Sequence, residues 1–400
     1  MTRLLVSPAP AELATGPATA VRRLSDRLLV LARPLRVLEG ANWPTAVETD
    51  FFANGARELP RVDRSTYRPL PLAPDAWVSG FSQVASEARR LLGHSPVGRL
   101  LTHAAQEYRA VVHMLAARGT TRFARLAAEL YGSTHGEPWV PRFERALDRL
   151  LAEKPTVAET RTLSAAEAKD ELAVRLAMHF GPSAPVRVTI CDELAADACA
   201  SGTVLKLRAG ATFAAADIRM LEVHEGWAHV GTTLNARLQP VLTHLAKCPP
   251  SATRTQEGLA VFLEFLSGAA HAGRIRKLQL RLRGLALAES GADFLEVYRY
   301  FLGTTGHAGD SYHQAMRLFR GGLPTGGAFT KDISYARGLC EVAAFAARAP
   351  ENLPWLFAGK TSLEQFDDLR ASGLLIEPHY VPSMARDAAA VGQLARMFAA

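Results

Sequence analysis

The segment that most constrains this chain is residues 224–229, H-E-G-W-A-H, because it places two histidines and a glutamate at an unusual spacing. Two imidazoles with a carboxylate directly after the first are typical of a zinc hydrolase helix, in which the glutamate accepts the proton of the attacking water. In the usual form the histidines are four residues apart and share one helical face. His224 and His229 are five apart, so on a regular α-helix they would diverge by roughly 140° and could not share one ion.

A local widening of the helix would reconcile this spacing with metal binding. A π-bulge absorbs one extra residue, and such bulges occur often at functional sites. Gly226 lies inside the interval and would ease the distortion, whereas Trp227 is expected to pack. We therefore predict a bulge between His224 and His229, near Gly226. A regular α-helix, with the imidazoles pointing apart, would mean that the pattern is accidental.

A glutamate from a later helix can complete such a site, because catalytic zinc usually takes three protein ligands. Glu257 lies 28 residues after His229, near the start of a predicted helix. The alternative is that Glu257 only complements the N-terminus of that helix, where an acid is favourable without a metal. Thr253 and Gln256 fit a capping box at the same place. Gln256 and Glu264 are also candidates to support the metal ligands without binding the metal. Glu264, seven residues after Glu257, would either orient a ligand histidine or be solvated.

Composition and charge narrow the class of protein. With 48% hydrophobic and 21% charged residues, the chain is expected to be an ordinary globular protein. Its net charge of +7 comes without a dense Lys/Arg run, which argues against nucleic-acid binding, and its four cysteines form no C-x-x-C pair. No stretch reaches the roughly 18 apolar residues of a membrane span, and Met1 to Ala20 lacks the apolar core of a signal peptide. We therefore expect a cytoplasmic protein that binds neither nucleic acid nor membrane.

Hydrophobic patterning predicts a mainly helical chain with one short β region. The helical segments share an amphipathic pattern and lie at residues 17–40, 84–118, 121–131, 141–153 and 164–180. A proline-rich stretch at 58–80 is expected to be extended. Strands are predicted at 186–190 and 203–208, followed by the helix of the histidine motif from about Ala214. The strands would serve either as an edge that holds a peptide in extended form or as a hairpin over the core.

The residues around Glu257 carry a family resemblance. The H-E-x-x-x-H motif at 224–229, followed by T-Q-E-G-L-A-V at 255–261, resembles the tyrosine/phenylalanine carboxypeptidase family. That family includes the microtubule-associated tyrosine carboxypeptidase of animals and bacterial QEGLA-motif proteins, some of them labelled flavohaemoglobin expression modulators. Further agreement lies in Y-R-P-L at 67–70, E-L-Y-G at 129–132, F-R-G-G at 319–322 and G-G-A-F-T-K-D at 326–332. The resemblance spans roughly residues 20–350.

The resemblance implies a zinc peptidase that removes a C-terminal tyrosine or phenylalanine from a peptide or protein. It implies His224, His229 and Glu257 as the ligands of one zinc ion per chain, and Glu225 as general base. Two readings from other classes stay open, namely a metal-binding regulatory protein without peptidase activity and a zinc amide hydrolase for another substrate. The presence of Glu225 together with all three metal ligands argues against an inactive site.

We predict an α+β fold, mainly α, that is gluzincin-like and has a small sheet beside the HExxxH helix. Residues 1–153 would form an N-terminal helical region with the proline-rich segment, and residues 154–400 a catalytic zincin-like domain with C-terminal helices. One departure from the usual pattern is Ala214, which lies where such helices often carry a serine cap, so that Thr212 is the nearest capping candidate.

A carboxypeptidase also needs a cation for the terminal carboxylate of its substrate. Arg320 and Lys331 flank a glycine-rich segment and are the first candidates, and Lys206 on the predicted strand is the third. In the alternative, Lys331 is exposed and pairs with Asp332. Tyr335 would stabilise the oxyanion or only cover a helix face. The positive charge of the chain is compatible with an acidic peptide tail as substrate, and nothing in the composition implies tubulin.

Overall fold

The protein is known from a computed structural model that describes residues 17–153, 160–192, 194 and 196–399. The predicted lack of a signal peptide at Met1 to Ala20 falls largely outside these residues. Helices dominate, and the sheets are small, which confirms the mainly helical α+β class. The gluzincin-like assignment stays a prediction. Within the described ranges, no helix has the length and apolar character needed to cross a membrane.

The first part of the chain is helical. Its helices are α1 (Pro17–Ala32), α2 (Val37–Ala41), α3 (Thr45–Ala53), α4 (Pro74–Leu92), α5 (Pro96–Ala116), α6 (Thr121–Tyr131) and α7 (Trp139–Glu153). The single helix predicted at 84–118 is wrong, because Gly93 has φ +56° and Ser95 caps a new helix that begins at Pro96. The prediction of an extended stretch at 58–80 is also wrong beyond Ala73, where Pro74 begins α4.

A three-stranded sheet follows α8 (Ala165–Phe180). It contains β2 (Arg187–Cys191), β3 (Ala198–Ser201) and β4 (Val204–Arg208), while β1 (Leu163–Ser164) and β5 (Thr212–Phe213) form a separate antiparallel pair. The strand order is β2-β4-β3, with β2 parallel and β3 antiparallel to β4. The two predicted strands correspond to β2 and β4. Sequence patterning missed β1, β3 and β5, and β3 is one of the two edge strands of the three-stranded sheet.

One helical rod after the sheet carries the histidine motif, and its middle is widened. Helix α9 (Ala215–Leu221) leads into a π-helix (Glu222–Val230), and α10 (Gly231–Leu238) continues from it. The N–H of Gly231 donates to the carbonyl of Gly226, five residues earlier. This confirms the predicted widening near Gly226, and the wide segment extends over nine residues instead of a single bulge.

The motif helix begins close to the predicted Ala214, whereas the helix that carries Glu257 begins earlier than predicted. At α9 the position before the helix is Ala214, and Asp217 Oδ2 accepts its backbone N–H at 2.9 Å, so the first turn supplies the cap. Helix α11 (Pro250–Leu266) begins at Pro250, because proline fits the first helical position. The capping box of Thr253 and Gln256 is therefore wrong. The Thr253 hydroxyl instead donates to the Pro249 carbonyl inside the helix.

The remaining helices complete three apolar clusters. They are α12 (Ala272–Glu289), α13 (Phe294–Thr305), α14 (Ala308–Phe319), α15 (Ile333–Arg348), α16 (Phe366–Ala371) and α17 (Ala388–Ala399). Val223 and Ala228 of the π-helix pack into the cluster of α11, α12 and α15. Val230 packs instead into the cluster of α8 and the sheet. The rod is thereby held between two cores. The division at residues 153 and 154, beside the gap at 154–159, stays a prediction.

Candidate metal centre

The π-helix places both motif histidines on the same side of the rod. In an i→i+5 helix, residues five apart lie one above the other. The imidazole rings of His224 and His229 are 4.9 Å apart between centroids and nearly perpendicular. Trp227 lies on another face, where it stacks on His179 at 4.8 Å and packs under Arg219. The extra residue in the motif is thus absorbed by the helix geometry.

Helix α11 brings Glu257 to the two imidazoles. Glu257 Oε2 lies 3.4 Å from His224 Nε2 and 3.6 Å from His229 Nε2. Glu257 is the eighth residue of α11, so the alternative of a first-turn acid that only complements the helix N-terminus is wrong. The three side chains each offer one ligand atom, and these atoms lie within 4.8 Å of one another.

The donor set fits a zinc ion. Bond lengths of about 2.0–2.2 Å in a tetrahedral site put ligand atoms roughly 3.3–3.6 Å apart, in agreement with the two distances from Glu257 Oε2. That buried oxygen has no hydrogen-bond partner among the described residues. A buried carboxylate oxygen without a donor is costly. A cation between His224, His229 and Glu257 would remove this cost.

Glu264 orients one of the histidines. Its Oε1 lies 2.6 Å from His224 Nδ1, which leaves Nε2 to face Glu257. Arg274 of α12 donates from Nε to Glu264 Oε2 (2.7 Å) and from Nη2 to Oε1 (2.8 Å). Burial alone would raise the pKa of Glu264, but Arg274 and His224 outweigh it and lower the pKa to about 2. Glu264 is fully buried, so the alternative of a solvated side chain is wrong.

The electrostatics of the centre favour positive charge. Burial acts to lower the pKa of His224, yet the neighbouring carboxylates of Glu257 and Glu264 outweigh it and raise the pKa to about 9. The pKa of Glu257 is held well below its usual range, because Lys331 and both histidines outweigh the effect of burial. A metal ion would take the place of the proton on His224.

Glu225 lies beside the histidines and is held by the sheet. Its Oε2 accepts the backbone N–H of Ala200 on the edge strand β3 at 2.7 Å, and its Oε1 lies 4.0 Å from His224 Nε2. The carbonyl of Asp197 accepts the N–H of Arg208 on β4, and backbone groups alternate in direction along a strand, so the N–H of Ala200 points away from β4. The edge strand therefore positions this carboxylate. One oxygen is fixed, and the other faces the metal centre.

The centre opens into a cavity of about 1090 Å³ that many cations line. The remaining candidates all line it: Lys206, Gln256, Arg320, Lys331 and Tyr335. Lys331 is buried, and its Nζ donates to Glu257 Oε1 at 3.2 Å. Asp332 instead accepts two hydrogen bonds from Arg317, at 2.9 and 3.0 Å. The alternative of an exposed Lys331 paired with Asp332 is therefore wrong.

Tyr335 and Gln256 contribute differently to the cavity wall. The ring of Tyr335 stacks on His224 with centroids 6.0 Å apart. Burial raises the pKa of its hydroxyl, which keeps the proton available for donation at neutral pH. Gln256 is buried in the wall, and neither polar atom of its side chain has a hydrogen-bond partner within the described chain. The structure does not bring Gln256 to a ligand histidine.

Sequence patterning missed three contributions to this site. Ala200 acts through its backbone, which no side-chain motif reveals. Arg274 and Arg281 lie seven residues apart on one face of α12 and line the cavity. A spacing search on that helix would find them, but the same stripe of cations is typical of a solvated helix face.

The comparison with models of known protein families gives one match. Residues 49–399 match the family described as microtubule-associated tyrosine carboxypeptidase. The matched range includes every candidate site residue. The search of curated proteins finds no match.

Proposed function

Because this chain belongs to the microtubule-associated tyrosine carboxypeptidase family, we propose that it is a zinc-dependent carboxypeptidase that removes a C-terminal aromatic residue from a peptide or protein. The family membership supports the carboxypeptidase activity. The zinc dependence is supported by a single observation, the convergence of His224, His229 and Glu257 beside a fixed Glu225. The intact set disfavours a regulatory protein that has lost its chemistry.

Several residues around the metal centre would have separate roles in the proposed reaction. When bound, zinc would supply Lewis acidity towards a water molecule and the scissile carbonyl. Glu225 would accept the proton of the attacking water through its free oxygen and pass it to the leaving amine. The protonated hydroxyl of Tyr335 would donate a hydrogen bond to the developing oxyanion. Glu264 would hold His224 in the tautomer that presents Nε2 to the metal.

The edge of the sheet would hold the peptide. The carbonyl of Asp197 accepts the N–H of Arg208 on β4, so the backbone groups of Ala198 and Ala200 point away from β4, on the side of the π-helix. An extended peptide could add to this edge through the carbonyl groups of Ala198 and Ala200, since Glu225 already binds the N–H of Ala200. The cations of the cavity wall favour a substrate whose C-terminal segment is acidic. The name of the family makes tubulin a candidate substrate. The residues of this chain indicate only that the substrate carries negative charge near its C-terminus.

Metal analysis of the purified protein tests the zinc proposal. We expect about one zinc per chain in the wild type, because three ligand atoms converge. His224→Ala should lose the metal, since removal of one ligand leaves two. His94→Ala is the matched control, because His94 is exposed and its side chain lies away from the cavity wall. Full zinc content in His224→Ala would contradict the proposed ligand set.

A further inference from the structure

Several cations of the cavity wall are already neutralised by a carboxylate. These ion pairs hold positions in the wall and leave little charge for a ligand. They are Arg161 with Asp197, Arg274 with Glu264, Arg317 with Asp332, and Lys331 with Glu257.

Two guanidinium groups of the same wall, Arg281 and Arg320, are among the lining cations that have no such partner in the described residues. Within the described part of the chain, neither Arg281 nor Arg320 forms an ion pair with a carboxylate. Arg281 uses its Nε to donate to Gln314 Oε1 at 3.0 Å. Arg320 is only 3% exposed, and its Nε has no hydrogen-bond partner among the described residues. Burial and the neighbouring Arg317 lower the pKa of both groups to about 10, so each stays charged at neutral pH.

Both groups lie close to the metal centre. The Cζ of Arg281 is 5.7 Å from the ring centroid of Tyr335, the ring that stacks on His224. Arg320 is in electrostatic contact with the same tyrosine and with Asp332, which is also the main carboxylate near Arg281. Arg281, Arg317 and Arg320 thus share one carboxylate, which Arg317 already binds through two hydrogen bonds. A planar anion would complete the arrangement, because guanidinium groups bind carboxylates in a two-point geometry.

We propose that Arg281 and Arg320 bind the terminal carboxylate of the substrate. This inference rests on the proposed function. It identifies the residues that would restrict cleavage to the last peptide bond of the substrate. In a peptide, the terminal carboxylate is attached to the Cα next to the scissile nitrogen, so an anchor near Tyr335 sets the cleavage position. Lys331 is a poorer candidate for this role, because its ammonium group is already neutralised by an ion pair with Glu257. Lys206 lies on β4 opposite Cys199, on the sheet side of the cavity, where the upstream part of the peptide would lie.

Kinetics with paired peptides test this assignment. One peptide ends in tyrosine with a free carboxylate, and the other carries the same tyrosine as an amide. We expect the wild type to cleave the free acid and to discriminate strongly against the amide. Arg281→Gln and Arg320→Gln should each raise KM for the free acid about 10- to 100-fold, the range for loss of a hydrogen bond to a charged group. Replacement by lysine should restore part of the loss.

Arg283→Gln is the matched control on α12. Arg283 pairs with Glu144, is half-exposed and lies outside the cavity wall, so its variant should keep the wild-type discrimination. The assignment is overturned if the double variant Arg281→Gln/Arg320→Gln still prefers the free acid to the same extent as the wild type.

Binding of a product analogue provides a readout without catalysis. N-acetyl-tyrosine should bind to the zinc-loaded wild type more tightly than N-acetyl-tyrosine amide, and the double variant should lose this difference. If the wild type binds both compounds equally, the proposed binding of the carboxylate by Arg281 and Arg320 is wrong, even if the enzyme releases tyrosine from peptides. If it prefers the acid but releases no tyrosine from any peptide, the proposed carboxypeptidase function fails and the anchor stands.

Discussion

At the scale of single residues, a buried serine–histidine pair joins α1 to the segment after α10. The Oγ of Ser25 accepts the backbone N–H of His244 at 2.9 Å and lies 2.7 Å from His244 Nδ1. The Thr243 hydroxyl donates its one hydrogen to Asp26 Oδ1 at 2.6 Å, so the hydrogen of Ser25 is free to be donated to His244 Nδ1. The ring must therefore be neutral to accept it. Burial lowers the pKa of His244 to about 4, in agreement with this geometry.

This pair predicts a pH dependence of folding stability. The pKa of His244 is below its unfolded value of about 6.5, so the unfolded chain binds more protons between about pH 6.5 and 4. The contribution is complete above about pH 6.5 and is lost as the pH falls towards 4, by up to roughly 3 kcal/mol. Urea unfolding at pH 7, 6 and 5 measures it. His244→Gln should be less stable at pH 7 but should lose less stability on acidification. Equal slopes in both proteins would contradict the neutral-histidine account.

At the scale of elements, a close crossing of α11 and α15 positions the third ligand. A Cβ on Gly258 would lie 2.2 Å from the backbone of Gly338, and a Cβ on Gly338 would lie 2.2 Å from the Arg254 carbonyl. Backbone meets backbone at this point, directly after Glu257 and one turn from Tyr335. The glycine of the Q-E-G-L-A motif is thus required by helix packing. Gly226 differs, because its nearest neighbour is the flexible side chain of Leu176.

We therefore expect Gly258→Ala to destabilise the protein by about 1–3 kcal/mol, as overpacking does in a close-packed core. The forced separation of the helices should also move Glu257 and weaken zinc binding. Gly303→Ala is the control, since Gly303 lies in α13 with open space around it and should gain about 0.5–1 kcal/mol. Thermal unfolding and zinc titration measure both effects. Unchanged zinc affinity in Gly258→Ala would contradict the positioning role of the crossing.

The elements also show what the sequence can and cannot predict. The widening between His224 and His229 was predictable, because two imidazoles five residues apart can share an ion only on a π-helix. The start of α11 was not predictable. Thr253 fits a capping pattern, but the helix already begins at Pro250, because proline is favourable at the first helical position. Edge strand β3 is four residues long and alternates small residues, so it lacks the β-branched signal of a strand. Arg281 was missed because a cationic stripe has the same pattern whether it faces a cavity or water.

At the scale of the whole molecule, the centre is assembled from distant parts of the chain. The π-helix supplies His224, His229 and Glu225, α11 supplies Glu257, and the segment before α15 supplies Lys331. The N-terminal helices join the same packing, because the ring of Phe123 packs on Phe329, close to Lys331. Ordering of the centre therefore depends on the complete fold, and the cavity walls come from most of the chain.

The most direct test of the carboxypeptidase proposal is tyrosine release from a peptide with a free C-terminal tyrosine, measured for zinc-loaded wild type and zinc-loaded Glu225→Gln. Glutamine keeps the shape of the side chain and the hydrogen bond to the N–H of Ala200 but cannot accept the proton of water. We predict that the variant keeps its zinc and its fold, and that its rate falls by about 10²- to 10⁴-fold. Wild-type release by zinc-loaded Glu225→Gln, or no release by the zinc-loaded wild type from any peptide ending in tyrosine or phenylalanine, would contradict the account.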